Sequence, residues 1–197
     1  SFDAGPAHFV GLHAPGRAPS RADLEWLEAD LESETARSAT WRIVYQHAPI
    51  FSHGSSHPAR PELRALMETF GRLGVDLHLS GHDQSYERTH ALRADGGIVL
   101  PHARDPWPVY AAGHGVVYAK VSPAGKLSDR GGGFSRLRGP APAEIAARDD
   151  GAHHWARLRI SASSLCVIVR ALPGAGQRVA TTDVFGIVRN EASGRDV

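Results

Sequence analysis

A layered α/β domain is the fold this sequence predicts, and three observations predict it. Two short apolar segments of β character, Trp41 to Tyr45 and Val75 to Leu79, are separated by a stretch with helical periodicity. Each ends in a polar loop that carries a histidine, the arrangement in which α/β sites gather at the C-terminal ends of strands. The last third of the chain changes to alternation of apolar and polar residues, the period of antiparallel sheet with one buried face.

Taken in order, Phe2 to Leu12 holds two apolar pieces around Gly5-Pro6, which fits a hairpin or a turned strand. Ser20 caps a helix with Asp23 three residues on, and Leu24, Leu27 and Leu31 recur at helical spacing beside Glu25, Glu28 and Glu32. Trp41 to Tyr45 is a short strand ending at Gln46-His47. Pro61 suits the first turn of the next helix, whose Leu63, Leu66, Met67 and Phe70 form an apolar face. Residues 75–79 are again a strand. Val109 to Ala112 and Val116 to Ala119 are β-rich pieces around Gly113-His114-Gly115. Residues 123–152, with Gly131-Gly132-Gly133 and few apolar side chains, read as a long surface loop. Ala156, Leu158 and Ile160 then alternate with Arg157 and Arg159; Leu165, Val167 and Val169 alternate after a serine-rich turn; and residues 184–188 supply a further strand.

At 197 residues the chain is long enough for one domain with a sizeable core, spanning residues 1–197. With 22 basic against 21 acidic residues there is no electrostatic footprint for nucleic acid or an anionic membrane, so we expect neither as a partner. No apolar stretch approaches the roughly 20 residues that span a bilayer. The single Cys166 excludes an internal disulfide and lies in the apolar run from Leu165 to Val169, where a buried, inert thiol is expected. The chain opens on Ser1-Phe2-Asp3, which reads as the middle of a strand region, and we expect it to be part of a longer protein.

Twelve histidines are a high load, and neutral imidazole is the commonest protein ligand for zinc and iron. His8, His78, His90 and the pair His153-His154 are expected to be structural, with satisfied hydrogen bonds. His47 and His82 differ, because each terminates an apolar strand and is followed by a loop that can turn its ring into a shared crevice.

The run Gly81-His82-Asp83-Gln84-Ser85-Tyr86-Glu87-Arg88 resembles the Gly-His-x-His-x-Tyr-Glu-Arg signature of purple acid phosphatases and related calcineurin-like metallophosphoesterases. Val44-Tyr45-Gln46-His47 resembles their Val-x-x-His segment, and Thr182 to Arg189 their closing strand. The resemblance implies a four-layer α/β/β/α sandwich, of which this chain would be the C-terminal half. It implies hydrolysis of phosphate monoesters at a dinuclear centre of two metal ions (iron, zinc or manganese), which bind phosphate oxygens and activate water. On that reading His47 and His82 hold one metal. Gln84 stands where the family has its second histidine, the ligand of the other metal, and offers only a weaker, uncharged amide oxygen. Asp83 is expected to point away. A histidine of the loop after His47, His53 or His57, would reach the phosphate or protonate the leaving oxygen. Arg60 is a candidate phosphate contact, whereas Arg88 is expected to be structural, paired with Glu87 or a carbonyl, and Tyr86 to be core or cleft wall. Gly113-His114-Gly115 resembles a glycine-rich loop near the metal cleft. The aspartates and the asparagine that complete the family's metal shells lie ahead of the segment where this chain begins, so a missing N-terminal half or another chain is expected as a partner, beside a small phosphorylated substrate. Alternatives are a catalytically inactive fragment or pseudoenzyme module, and a phosphodiesterase or nucleotidase of the same fold. The resemblance also implies an extracytoplasmic location.

Overall fold

The computed structural model describes residues 1–13, 18–102, 106–127, 133–174 and 176–189. Its elements run β1 (Phe2–Ala4), β2 (Ala7–Gly11), α1 (Arg21–Leu31), α2 (Glu34–Ser38), β3 (Trp41–Tyr45), a 3₁₀ turn (Pro61–Ala65), α3 (Leu66–Arg72), β4 (Leu77–Ser80), β5 (Tyr86–Leu92), β6 (Ile98–Val99), β7 (Val109–Ala111), β8 (Val116–Lys120), β9 (Ile145–Asp149), β10 (His153–Ile160), β11 (Ser164–Leu172) and β12 (Ala180–Val188).

The opening hairpin is β1 against β2, turned at Gly5, whose φ of +57° favours glycine. Strands β2, β3, β4 and β8 pair in parallel at the centre of an eight-stranded sheet. Parallel neighbours need crossovers, and α1 with α2, then the 3₁₀ turn with α3, supply the first two. Helix α1 starts where the sequence predicts, with a reciprocal capping box between Ser20 and Asp23. Its Leu27 and Leu31 join Leu66, Met67 and Phe70 of α3 on one face of the sheet, against Val10, Val44 and Tyr118. The opposite face, through Trp41, Ile43, Leu77 and Val117, packs on Leu165, Val167, Val169, Phe185 and Ile187 of a second sheet ordered β10-β11-β12-β7. The period-two alternation of strands β10 and β11 gives that second sheet its buried face.

The layers are therefore α/β/β, three of the four expected. The outer face of the second sheet, where Trp155 is 41% exposed, carries no helix among the described residues. No helix among them is long and apolar enough to cross a membrane.

One element of the sequence reading is corrected. The expected loop at 123–152 contains β9, which pairs antiparallel with β5, and a fully buried Ser135; residues 128–132 of that stretch lie outside the described residues. Strand β9 was hidden from the sequence pattern because it buries only Ile145 well and leaves its other residues half-exposed. The two β-rich pieces around Gly113 also part company, β7 joining the second sheet and β8 the first.

Candidate functional site

Strands β3 and β4 are parallel neighbours, and each runs out into a loop whose second residue is a histidine, His47 or His82. The loops are stitched together by the Gly81 amide, which donates to the His47 carbonyl at 3.1 Å. His82 has φ of +70°, a left-handed conformation uncommon for a non-glycine residue and concentrated at functional sites. Its Nδ1 lies 2.8 Å from Nε2 of His47, and its ring centroid lies 4.4 Å from that of His57. Three imidazoles thus meet at the C-terminal ends of two parallel strands. Partial burial, and then the neighbouring His57 and His47, lower the pKa of His82, with Arg60 adding to the effect. The neutral, lone-pair-bearing form is favoured.

Behind this cluster lies a buried ionic network. Lys120, the last residue of β8, is directly opposite Glu87 in the antiparallel pairing with β5. Its Nζ donates to Ser52 Oγ (2.9 Å), Asp83 Oδ2 (2.8 Å), Ser85 Oγ (2.8 Å) and Glu87 Oε2 (2.7 Å). Asp83 also accepts from the His57 amide at 2.9 Å, and Glu87 from the His53 amide at 2.8 Å and His53 Nδ1 at 2.9 Å. Burial alone would push Asp83 up, but the charge and hydrogen bond of Lys120, with the Ser135 hydroxyl and the His57 amide, hold it down to about 2. Glu87 is likewise lowered: burial opposes ionisation, and the His53 side chain and Lys120 overcome it.

Of the residues the sequence singled out, His47, His57 and His82 come together. His53 instead spends its contacts on Glu87 and, at 3.8 Å, Glu144. Gln84 Nε2 donates to the His82 carbonyl at 2.8 Å, and its Oε1 is buried without a partner. Asp83 does point into the protein. Arg60 is exposed at the cluster's edge. Arg88 is buried as expected, but its carboxylate partner is Asp183, at 2.6 Å, and not Glu87. Adjacent strand residues face opposite sides of a sheet, so Glu87 could not have reached it. Gly113-His114-Gly115 precedes β8 and is therefore at the opposite end of the parallel strands from the histidines, against Gly71, Leu92 and Arg93. Ser52, Ser85 and Lys120 were not anticipated. The signal for Lys120 was its place at the end of the run Val116-Val117-Tyr118-Ala119, where a charge on a central strand must be paired.

Gly54 shows how closely the loop is packed on this network. A Cβ there would stand 1.8 Å from Asp83 Oδ2 and 2.4 Å from Ser135 Oγ, both buried. Gly54→Ala is expected to cost about 1–3 kcal/mol by overpacking, read as a lower midpoint in urea unfolding. An unchanged midpoint would show that the loop yields.

The two metals that the resemblance implies can be tested against these donors. His47 and His82 present two nitrogens to one point, which fits part of one ion's shell. The carboxylates Asp83 and Glu87 are committed to Lys120, and Gln84 is turned into the protein, which leaves none of these three for a second ion. Among the described residues no group of three or more His, Cys, Asp or Glu side chains is arranged to hold a metal.

No family model matches the chain. It is 29% identical over 127 residues to purple acid phosphatase 15 of Arabidopsis thaliana, covering 54% of this chain and 24% of that protein. It is 29% identical over 135 residues to human acid phosphatase type 7, covering 56% and 31%. The structure of a purple acid phosphatase from yellow lupin seeds superposes with a TM-score of 0.74 at 20% identity, over 96% of this chain and 32% of that one. The chain thus spans about a quarter to a third of the length of these proteins. Over about half of its length in sequence, and nearly all of it in fold, the chain is similar to the purple acid phosphatases and is consistent with a C-terminal portion of one.

Proposed function

We propose that this chain forms the histidine side of an acid-phosphatase-like site, which hydrolyses small phosphate monoesters once residues outside this chain supply the remaining ligands. The observation that carries this reading is the convergence of His47, His57 and His82 on loops after neighbouring parallel strands. His47 Nε2 and His82 Nδ1 would hold one metal, and a second would depend on residues outside this chain. When bound, iron, zinc or manganese supplies positive charge for the phosphate oxygens and activates water. His57 is beside His82, whereas His53 is bound to Glu87, so His57 is the residue to hand a proton to the leaving oxygen. Arg60, exposed nearby, would meet a phosphate oxygen through its forked donors. An extracytoplasmic location goes with this reading, and neither nucleic acid nor a membrane is invoked.

The test is the zinc content of the purified chain after loading and exhaustive dialysis. We expect close to one ion per chain, lost in His47→Ala. A metal-free wild-type protein would overturn the reading. In the complete protein, His82→Ala should abolish turnover of a monoester panel while leaving the thermal midpoint unchanged.

The commitment of Asp83, Glu87 and Gln84 to internal partners favours a second reading, a module that keeps the fold without hydrolysis. On that reading, Gln84→His gains no activity even with the upstream half present. Parallel assay of phosphodiesters and nucleotides separates the remaining substrate classes.

A further inference from the structure

The geometry points to Lys120 as the positioning residue of the three-histidine cluster: through Asp83 and Glu87 it pins the loop that carries His57, and so sets His57 against His82. This rests on the reading of those histidines as one site.

A lysine 2% exposed on a central strand, with side-chain exposures of 1% or less for itself and for both its carboxylates, is costly to bury. Its four contacts are not diffuse. Each belongs either to the loop after β3 (Ser52) or to the segment from Asp83 to Glu87 that carries His82 into β5. The two carboxylates then hand the constraint on, each accepting a backbone amide of a loop histidine, His57 for Asp83 and His53 for Glu87. Ser52 closes the figure, its one hydroxyl proton lying between Asp83 Oδ2 at 3.0 Å and the His57 carbonyl at 3.2 Å. His57 is therefore held at both its amide and its carbonyl by groups gathered around one ammonium. The loop has no helix or strand of its own between Tyr45 and Pro61. Without Lys120, two buried carboxylates 2.8 Å and 2.7 Å from its nitrogen would lack their countercharge, and the loop would keep its bridge from Gly54 to Leu137 but lose the anchor at His57.

The experiment compares wild type, Lys120→Met and the apolar triad Asp83→Leu/Glu87→Met/Lys120→Met. Replacing a buried ionic triad by apolar side chains of similar size often preserves stability, yet leaves no acceptor for the His57 amide. The readouts are the thermal midpoint and the nuclear Overhauser contact between the His57 and His82 rings. We expect the contact in wild type and its loss in the triad while the midpoint stays within about 5 °C; a purely structural role would restore both together. A triad that keeps the ring contact overturns the proposal. Should the triad not fold, amide exchange in wild type decides. The His53 and His57 amides are expected to be slowed at least about 1,000-fold, and slowing of less than about tenfold overturns it. Failure to take up zinc would sink the functional reading alone, since neither the ring contact nor amide exchange needs metal.

Discussion

Asp183→Ala is expected to destabilise the chain by about 3–5 kcal/mol, the usual cost of leaving a buried charge without its partner. Asp183 on β12 accepts from Tyr86 Oη at 2.7 Å, from Arg88 Nε at 2.6 Å and from Arg88 Nη2 at 3.3 Å, so one carboxylate of the second sheet clasps two residues of the first. The guanidinium also lies over the Phe185 ring, 4.6 Å from its centroid, in the apolar layer between the sheets. Removing the carboxylate orphans a cation that is 2% exposed and a tyrosine hydroxyl that is fully buried. Arg88 then retains only the Tyr110 hydroxyl and its neighbour's carbonyl, neither of them charged. For a domain of this size the loss corresponds to a fall in Tm of roughly 6–20 °C. The control is Arg88→Met combined with Asp183→Leu, which removes both charges and should recover most of the stability. If Asp183→Ala melts within about 2 °C of wild type, the clasp carries no weight.

That clasp gives the run Tyr86-Glu87-Arg88 its physical meaning. On a strand of period two, Tyr86 and Arg88 face the second sheet while Glu87 faces the helix layer and Lys120. One short motif thus ties the sandwich together and anchors the loop behind the histidines. Sequence reading placed the motif in the loop after a strand and did not give β5 or the motif's partners, since Asp183 and Lys120 are remote in sequence and no local period encodes them.

The layers were legible for a related reason. Helix α1 announces itself by a capping box and leucines at helical spacing, and β10 and β11 by alternation, all local signals. Strand β9 carries no such signal, because one buried isoleucine among half-exposed residues looks like a loop. At the site, His47 and His82 were legible because each follows an apolar strand. The choice between His53 and His57 was not, for it depends on which amide meets Asp83 and which ring meets Glu87. Gln84 shows the opposite limit: its position in the motif suggested a ligand, and the backbone turn at His82 directs its amide back to the carbonyl two residues earlier.

The expectation of satisfied hydrogen bonds at His8, His78, His90, His153 and His154 fails at Nδ1 of His153 and at both ring nitrogens of His78, and from His78 a second large effect follows. His78 is 1% exposed on β4, with its ring 5.5 Å from Phe70 and 5.6 Å from Tyr118, and neither ring nitrogen has a hydrogen-bond partner among the described residues. Burial lowers its pKa from 6.5 to about 3. Above pH 6.5 folded and unfolded chains both carry a neutral ring, and the group adds no pH dependence. As pH falls from 6.5 towards 3, the unfolded chain takes up a proton that the folded chain refuses, so stability is lost at up to about 1.4 kcal/mol per pH unit. Between pH 6.5 and 4.5 this amounts to about 2 kcal/mol. Asp83, held at about 2, acts with the same sign but in a lower window, losing its contribution as pH falls from 3.8 through about 2. Above pH 4.5 the lowered His82 and His90, and the onset of Glu87, act with the same sign, so His78 is read from the difference between wild type and a variant that lacks it. In His78→Leu the two unpartnered nitrogens are gone, and so is the proton uptake on unfolding. Urea unfolding at pH 6.5, 5.5 and 4.5 should show wild type weakening more steeply than the variant, which ends the more stable of the two. Parallel decline of both proteins would mean that His78 takes up its proton in the folded chain, through a partner or water that reaches it inside the helix layer.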